Sequence, residues 1–252
     1  MYSFESRVRY SECDEDAKLS LEGLIDYLQD CSTFQSEQLG VGFSFMREHH
    51  FAWFIAAWQI WIDRIPRFLE PIKISTWCPA ARATDAHRNF TITSPSGASY
   101  VRADSIWFVF DTQLKRPVRI PASEAVYQQG DPPLDLPPTH RKLPVEGNFK
   151  LAQEVKVAKQ QLDTNGHVNN AQYVRMAVDA LDVRIEDVQR ICVQYKRMAL
   201  LGDRIVPRVH TAARAMTVDL ANPLGASFAI VYFEKRPKPQ HPDEAKRLTS
   251  LS

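Results

Sequence analysis

The chain is written twice, and that repeat limits its fold more than any single segment does. Near the start stands Val8-Arg9-Tyr10-Ser11-Glu12-Cys13-Asp14-Glu15-Asp16-Ala17-Lys18-Leu19. The second half offers Val157-Ala158-Lys159-Gln160-Gln161-Leu162-Asp163-Thr164-Asn165-Gly166-His167-Val168. In this register Asp14 matches Asp163, Asp16 matches Asn165 and Lys18 matches His167. Turn chemistry repeats in the same order: Pro95-Ser96-Gly97-Ala98-Ser99-Tyr100 is echoed by Pro223-Leu224-Gly225-Ala226-Ser227-Phe228. A glycine in both copies suits a hairpin that needs a positive φ.

Between the copies Pro121, Pro132, Pro133, Pro137, Pro138 and Pro144 fall among few periodic apolar residues. Such a stretch is expected to run over a surface, unable to hold a helix or a central strand. The expected units are 1–125 and 149–236, a linker at 126–148 and a flexible tail at 237–252, where Pro237, Pro239 and Pro242 fall.

Each repeated segment leads into a helix. The first is predicted over Leu21–Leu39, with Ser20 as N-cap, Gly40 as stop and a buried face of Leu21, Leu24, Ile25, Leu28 and Cys31. The second follows Asn169 or Asn170 as N-cap, with Tyr173, Val174, Ala177, Ala180 and Leu181 at helical spacing. Strand-type runs come after each: Trp58–Ile62, Ile72–Trp77, Asn89–Thr93 and Tyr100–Phe110, then Ile191–Lys196, Arg204–Ala213, Ala215–Asp219 and Ser227–Glu234. Each half therefore reads as strand, long helix, then an antiparallel meander. A sheet curled around the helix buries both, and two such sheets can join edge to edge, removing an exposed edge from each. The expected class is α+β.

Composition narrows function by exclusion. A net charge of +1 supplies no broad basic field, so a nucleic-acid partner is not expected. The four cysteines, Cys13, Cys31, Cys78 and Cys192, are scattered without metal-site spacing, and read as reduced thiols in a cytoplasmic protein. Met1-Tyr2-Ser3-Phe4-Glu5-Ser6 has neither the basic nor the apolar region of a signal peptide. The longest apolar run, Phe51 to Ile62, is too short for a bilayer, so no membrane partner is expected.

Chemistry concentrates in Asp163-Thr164-Asn165-Gly166-His167-Val168-Asn169-Asn170. If the chain is extended there, Asp163, Asn165 and His167 share a face just before a helix N-terminus with unpaired N–H groups. A carboxylate, an imidazole and oriented donors suit acyl transfer. The alternative is structural, since Asn165-Gly166 is a strong turn signal.

These features resemble the acyl-acyl carrier protein thioesterases of bacteria and plant plastids, whose chains carry two tandem hotdog domains. The first-half marks are Ser11-Glu12-Cys13-Asp14, Tyr27-Leu28-Gln29-Asp30, and Thr76-Trp77 followed by Arg88-Asn89-Phe90. The second-half mark is Asp163-x-Asn165-x-His167-Val168-Asn169-Asn170-x-x-Tyr173. The resemblance implies hydrolysis of a fatty acyl thioester on the phosphopantetheine arm of acyl carrier protein, in fatty acid biosynthesis, without metal or cofactor. It implies Asp163, Asn165 and His167 as catalytic residues, and it is compatible with a homodimer. Asp163 would attack directly or through water, Asn165 would orient, His167 would manage the proton, and N–H groups at the helix start would form the oxyanion hole. Where the plant family has a Glu-Cys pair, this chain has Met198 and Ala199. An acyl-CoA hydrolase of the same superfamily and a non-catalytic acyl-binding protein are the alternatives. Trp53, Trp58 and Trp61 are candidates for an acyl tunnel, with core packing as the alternative for at least two.

Overall fold

The computed structural model describes residues 1–237 except Glu146 and Asp182, and the tail expected beyond Pro237 lies outside them. Its first half contains β1 (Tyr2–Arg7), α1 (Leu21–Gln38), α2 (Phe43–Glu48), β2 (Phe51–Ile62), β3 (Pro71–Ala81), β4 (Ala86–Thr93), β5 (Ser99–Asp111) and β6 (Arg116–Val118). Its second half contains β7 (Lys150–Leu151), β8 (Val155–Lys156), α3 (Asn170–Asp179), β9 (Val188–Tyr195), β10 (Arg204–Thr211), β11 (Ala215–Ala221) and β12 (Ser227–Lys235).

The strands form one sheet in the order β1-β3-β4-β5-β2-β9-β12-β11-β10-β7, antiparallel at every joint. The halves meet where β2 pairs β9, in the register Trp58↔Val193 and Ile60↔Ile191. That joint closes one edge of each half-sheet. One apolar core runs through it, from Leu24, Leu28 and Phe90 in the first half to Val174, Val193 and Phe233 in the second.

Helix α1 starts where Ser20 Oγ accepts the Gly23 N–H at 3.1 Å, a cap that stabilises a helix by about 1 kcal/mol. Leu24, Ile25, Leu28 and Cys31 are fully buried on its sheet-facing side, as their spacing predicts. Helix α3 is shorter than expected, 10 residues against 18 in α1. Its cap is Asn169, whose Oδ1 accepts the Ala171 N–H at 2.8 Å. The two helices lie antiparallel: Glu22 meets Arg175 at 3.0 Å, and further along α1 Gln29 meets Asn170 at 3.0 Å.

The proline-rich stretch crosses the sheet on the face away from the helices. Trp77 Nε1 donates to Pro132 O (2.8 Å), Asn89 Oδ1 accepts from the Leu134 N–H (2.8 Å), and Gln194 Oε1 accepts from the Leu143 N–H (3.0 Å). Gln59 Nε2 donates to Pro137 O and Thr139 Oγ1 to Asp104, both at 2.6 Å. These polar side chains alternate along their strands with core residues, so the strap satisfies groups that the sheet would otherwise bury unpaired.

Three expectations need correction. Residues Ala122–Tyr127 form a 3-10 helix inside the stretch read as unable to hold one. No proline stands between Pro121 and Pro132, and the buried Glu124 and Tyr127 anchor the turn. Strand β2 begins at Phe51, earlier than the alternation around Trp58 suggests, because it is flanked by β5 along its whole length and is apolar on both faces. The strand expected ahead of the second helix is replaced by two short ones, β7 and β8.

Candidate active site

The site begins with a turn. Asp163 N–H donates to His167 O at 2.7 Å, and Gly166 N–H donates to Asp163 O at 3.1 Å. Gly166 sits at φ +76, where a side chain is disfavoured, so the Asn-Gly signal is real turn chemistry. The extended geometry expected for Asp163 to His167 is therefore wrong. Inside the turn, Asp163 Oδ1 accepts the N–H groups of Asn165 (2.8 Å) and His167 (3.1 Å). One carboxylate oxygen thus builds the loop, and Oδ2 takes no part in it.

The turn still delivers all three predicted residues to one place. Asp163, Asn165 and His167 line a cleft of about 1480 Å³ between α1, α2, the start of β2 and the second-half turn. His167 Nδ1 is buried without a hydrogen-bond partner among the described residues. Its ring lies 6.5 Å from that of Phe54, centroid to centroid.

The expected oxyanion hole is narrower than the helix start suggests. Val168 N–H goes to Ala199 O, Asn169 N–H to Gln161 O and Ala171 N–H to the Asn169 side chain. From Asn165 to Ala171, the Asn170 N–H alone has no acceptor among the described residues.

Residues 198 and 199 lie beside this turn. His167 bridges Leu200, and Ala199 is fully buried with its N–H donated to Tyr173 Oη at 2.9 Å. Burial lifts the Tyr173 hydroxyl to about 12, which keeps it neutral as an acceptor. Met198 lines the cleft and is 42% exposed.

The first half supplies the opposite wall. Phe54, Phe108, Phe110 and Trp107 make much of it apolar. Trp53 also lines it and donates to the buried Glu124 at 2.7 Å, whereas Trp58 is a core residue and Trp61 stacks with Arg190 away from the cleft. Arg88, on the same wall, is 8% exposed, donates to Gln35 and Thr76, and lies 4.8 Å from the Tyr127 ring centroid.

The polar stripe of α1 went unread as part of the site. Glu22, Asp26, Gln29 and Thr33 recur at helical spacing, and Asp26, Gln29 and Thr33 line the cleft. A polar stripe on a helix packed between a sheet and a second helix was the available signal. Burial first, then Glu22, Asp30 and Glu12, raise the Asp26 carboxyl to about 6, while a hydrogen bond from Gln29 pulls the other way.

Residues 1–126 match the acyl-ACP thioesterase N-terminal domain family, and residues 147–223 match the corresponding C-terminal domain family. A chloroplastic palmitoyl-acyl carrier protein thioesterase of Cuphea hookeriana is 24% identical over 209 residues, covering 75% of this chain and 50% of its own length. The chain thus spans about half the length of the curated relatives it matches. An oleoyl thioesterase assignment from Lactobacillus plantarum superposes with a TM-score of 0.84 at 25% identity, over 95% of this chain and 97% of that one. A 12:0-ACP thioesterase from Umbellularia californica shares the fold, with a TM-score of 0.79 at 17% identity over 94% and 97% of the two chains. The expected pair of tandem hotdog domains in an α+β chain is the architecture these structures share.

Proposed function

The chain belongs to the acyl-ACP thioesterase family, and from that premise we propose that it hydrolyses fatty acyl thioesters of acyl carrier protein, releasing free fatty acid in fatty acid biosynthesis. The observation that carries the reading is the cleft itself: apolar walls from the first half open onto Asp163, Asn165 and His167 of the second. A fatty acyl chain gains by leaving water along such a wall, at about 0.8 kcal/mol per buried methylene. The thioester would then lie at the turn.

In this mechanism Asp163 uses the oxygen outside its turn to take a proton from water. The water oxygen bonds to the thioester carbon, and the carbonyl oxygen becomes an oxyanion facing the Asn170 N–H and the Asn165 amide. Collapse breaks the carbon–sulfur bond. His167 donates the proton that the departing thiolate needs, and the proton held by Asp163 passes back through the imidazole. Ala199 offers no thiol, so no covalent acyl–sulfur intermediate forms at that position.

A cytoplasmic setting belongs to the same reading, supported by the unpaired and buried Cys31, Cys78 and Cys192. Homodimerisation is retained because β1 stands at an open edge of the sheet.

The test is mass spectrometry of fatty acids released from a mixed acyl carrier protein pool. Free acids that appear with enzyme and are absent with His167→Ala support the proposal. Tight acyl binding without release would replace it with an acyl-binding role, the role Met198 suggests. Faster turnover of acyl-CoA than of the carrier thioester would replace the substrate.

A further inference from the structure

We infer that Asp26 and Gln29 of α1 form a positioning pair for the catalytic turn of the opposite half, and that ionisation of Asp26 governs how firmly the pair holds it. The inference rests on the thioesterase reading and deepens it. Beside its turn the second half offers the uncharged Met198, and the first half brings a carboxyl, Asp26, to the same cleft.

The geometry runs through one amide. Gln29 Nε2 lies 3.4 Å from Asp26 Oδ1 and 3.3 Å from Asn169 Oδ1, while Gln29 Oε1 accepts from Asn170 Nδ2 at 3.0 Å. An amide has a donor end and an acceptor end, and a carboxylate accepts only from the former. Ionised Asp26 therefore reinforces the orientation that Asn169 and Asn170 also select, with Nε2 toward the acceptors and Oε1 toward Asn170. Asn169 caps α3, and Asn170 carries the open N–H, both immediately beyond His167. Protonation of Asp26 weakens its acceptor and adds a donor, and the amide keeps only its contacts to Asn169 and Asn170.

Charges around Asp26 come from several elements. Glu22 and Asp30 flank it on α1, and Glu12, in the 3-10 turn Tyr10–Glu12, adds to their charge. On α3 the cation Arg175 is committed to Glu22 at 3.0 Å. Across the cleft stand His167, Lys196 and Arg197. Burial is the largest contribution, and with Glu22, Asp30 and Glu12 it raises the Asp26 carboxyl to about 6. No equivalent pair serves the first-half turn, since Arg175 and Val178 occupy the matching places on α3.

The experiment has two readouts. The first is kcat/KM on an acyl carrier protein thioester from about pH 5 to 8 for wild type, Asp26→Glu and Asp26→Asn. Wild type and Asp26→Glu should lose activity below about 6. Asp26→Asn should lack that limb and show a lower kcat, by about tenfold, at unchanged KM. A wild-type limb in Asp26→Asn would overturn the inference. The second readout follows the side-chain amide NMR signals of Gln29, Asn169 and Asn170 in a His167→Gln background, which removes the imidazole. They should move with a midpoint near 6 and stop moving when Asp26→Asn is added. Amides indifferent to pH would overturn the inference even if the thioester is hydrolysed. Amides that titrate in a protein without hydrolase activity would keep the pair and reject the thioesterase reading instead.

Discussion

The turn at Asp14–Lys18 and the turn at Asp163–His167 are the same object at the level of the backbone. Asp14 N–H bonds Lys18 O at 2.8 Å where Asp163 N–H bonds His167 O at 2.7 Å. Asp14 Oδ1 accepts the N–H groups of Asp16 (3.0 Å) and Lys18 (2.9 Å), as Asp163 Oδ1 accepts those of Asn165 and His167. Ala17 is forced to φ +57 at the place where Gly166 has φ +76. What separates them is where the remaining side chains go. Lys18 pairs with Glu186 of the other half, and Asp16 with Arg184. His167 instead faces the cleft with an unpaired Nδ1 among the described residues, opposite the Asp26–Gln29 pair. The two turns share one backbone scaffold, and ion pairs occupy the side chains of the first.

That contrast can be broken most severely through activity. His167→Ala should reduce thioester hydrolysis by at least about a hundredfold, the scale of a lost proton-transfer group. Lys18→Met should leave turnover near wild type, since Glu186 keeps Arg184 as a partner at 3.0 Å. Asp163→Ala separates structure from chemistry. Asp14→Ala and Asp163→Ala each remove one acceptor of two backbone N–H groups, and each should cost about 1–2 kcal/mol in denaturant unfolding. Only the second should also abolish hydrolysis.

A smaller effect should follow from Asp26. Its carboxyl rises from 3.8 to about 6 on folding, so the folded chain binds more protons than the unfolded one between those values. Stability therefore falls as pH rises through that window, and the penalty is complete above it. Asp26→Asn should stabilise the protein at pH 7.5 by about 1 kcal/mol, a figure discounted for its partial exposure, and the gain should vanish below about pH 4. Unfolding midpoints across pH check this. The smallest contrast is in the backbone: Gly166→Ala should destabilise by about 1 kcal/mol, while Ala17→Gly should change stability by only a few tenths.

Much of this was legible in the chain, for local reasons. Ser20 and Asn169 announced both helix starts, because capping depends on a side chain two or three residues from its partner. Gly97 and Gly225 announced two hairpins, at φ +90 and +88. The three catalytic candidates are legible as a pattern, and Asn165-Gly166 is the part of it that signals the turn over an extended run. What stayed hidden depends on distant contacts. The early start of β2 is decided by β5, the 3-10 helix at Ala122–Tyr127 by burial of Glu124 and Tyr127, and the role of Gln29 by residues of the other half. No local period carries that information.

The central claim is that one of two equivalent turns is the working site. Its most direct test is fatty acid release from a single acyl carrier protein thioester by folded Lys18→Met and His167→Ala proteins, measured side by side with wild type. The account predicts near-normal release from Lys18→Met and loss of at least about a hundredfold in His167→Ala. Equal losses in the two variants, or none in His167→Ala, would contradict it.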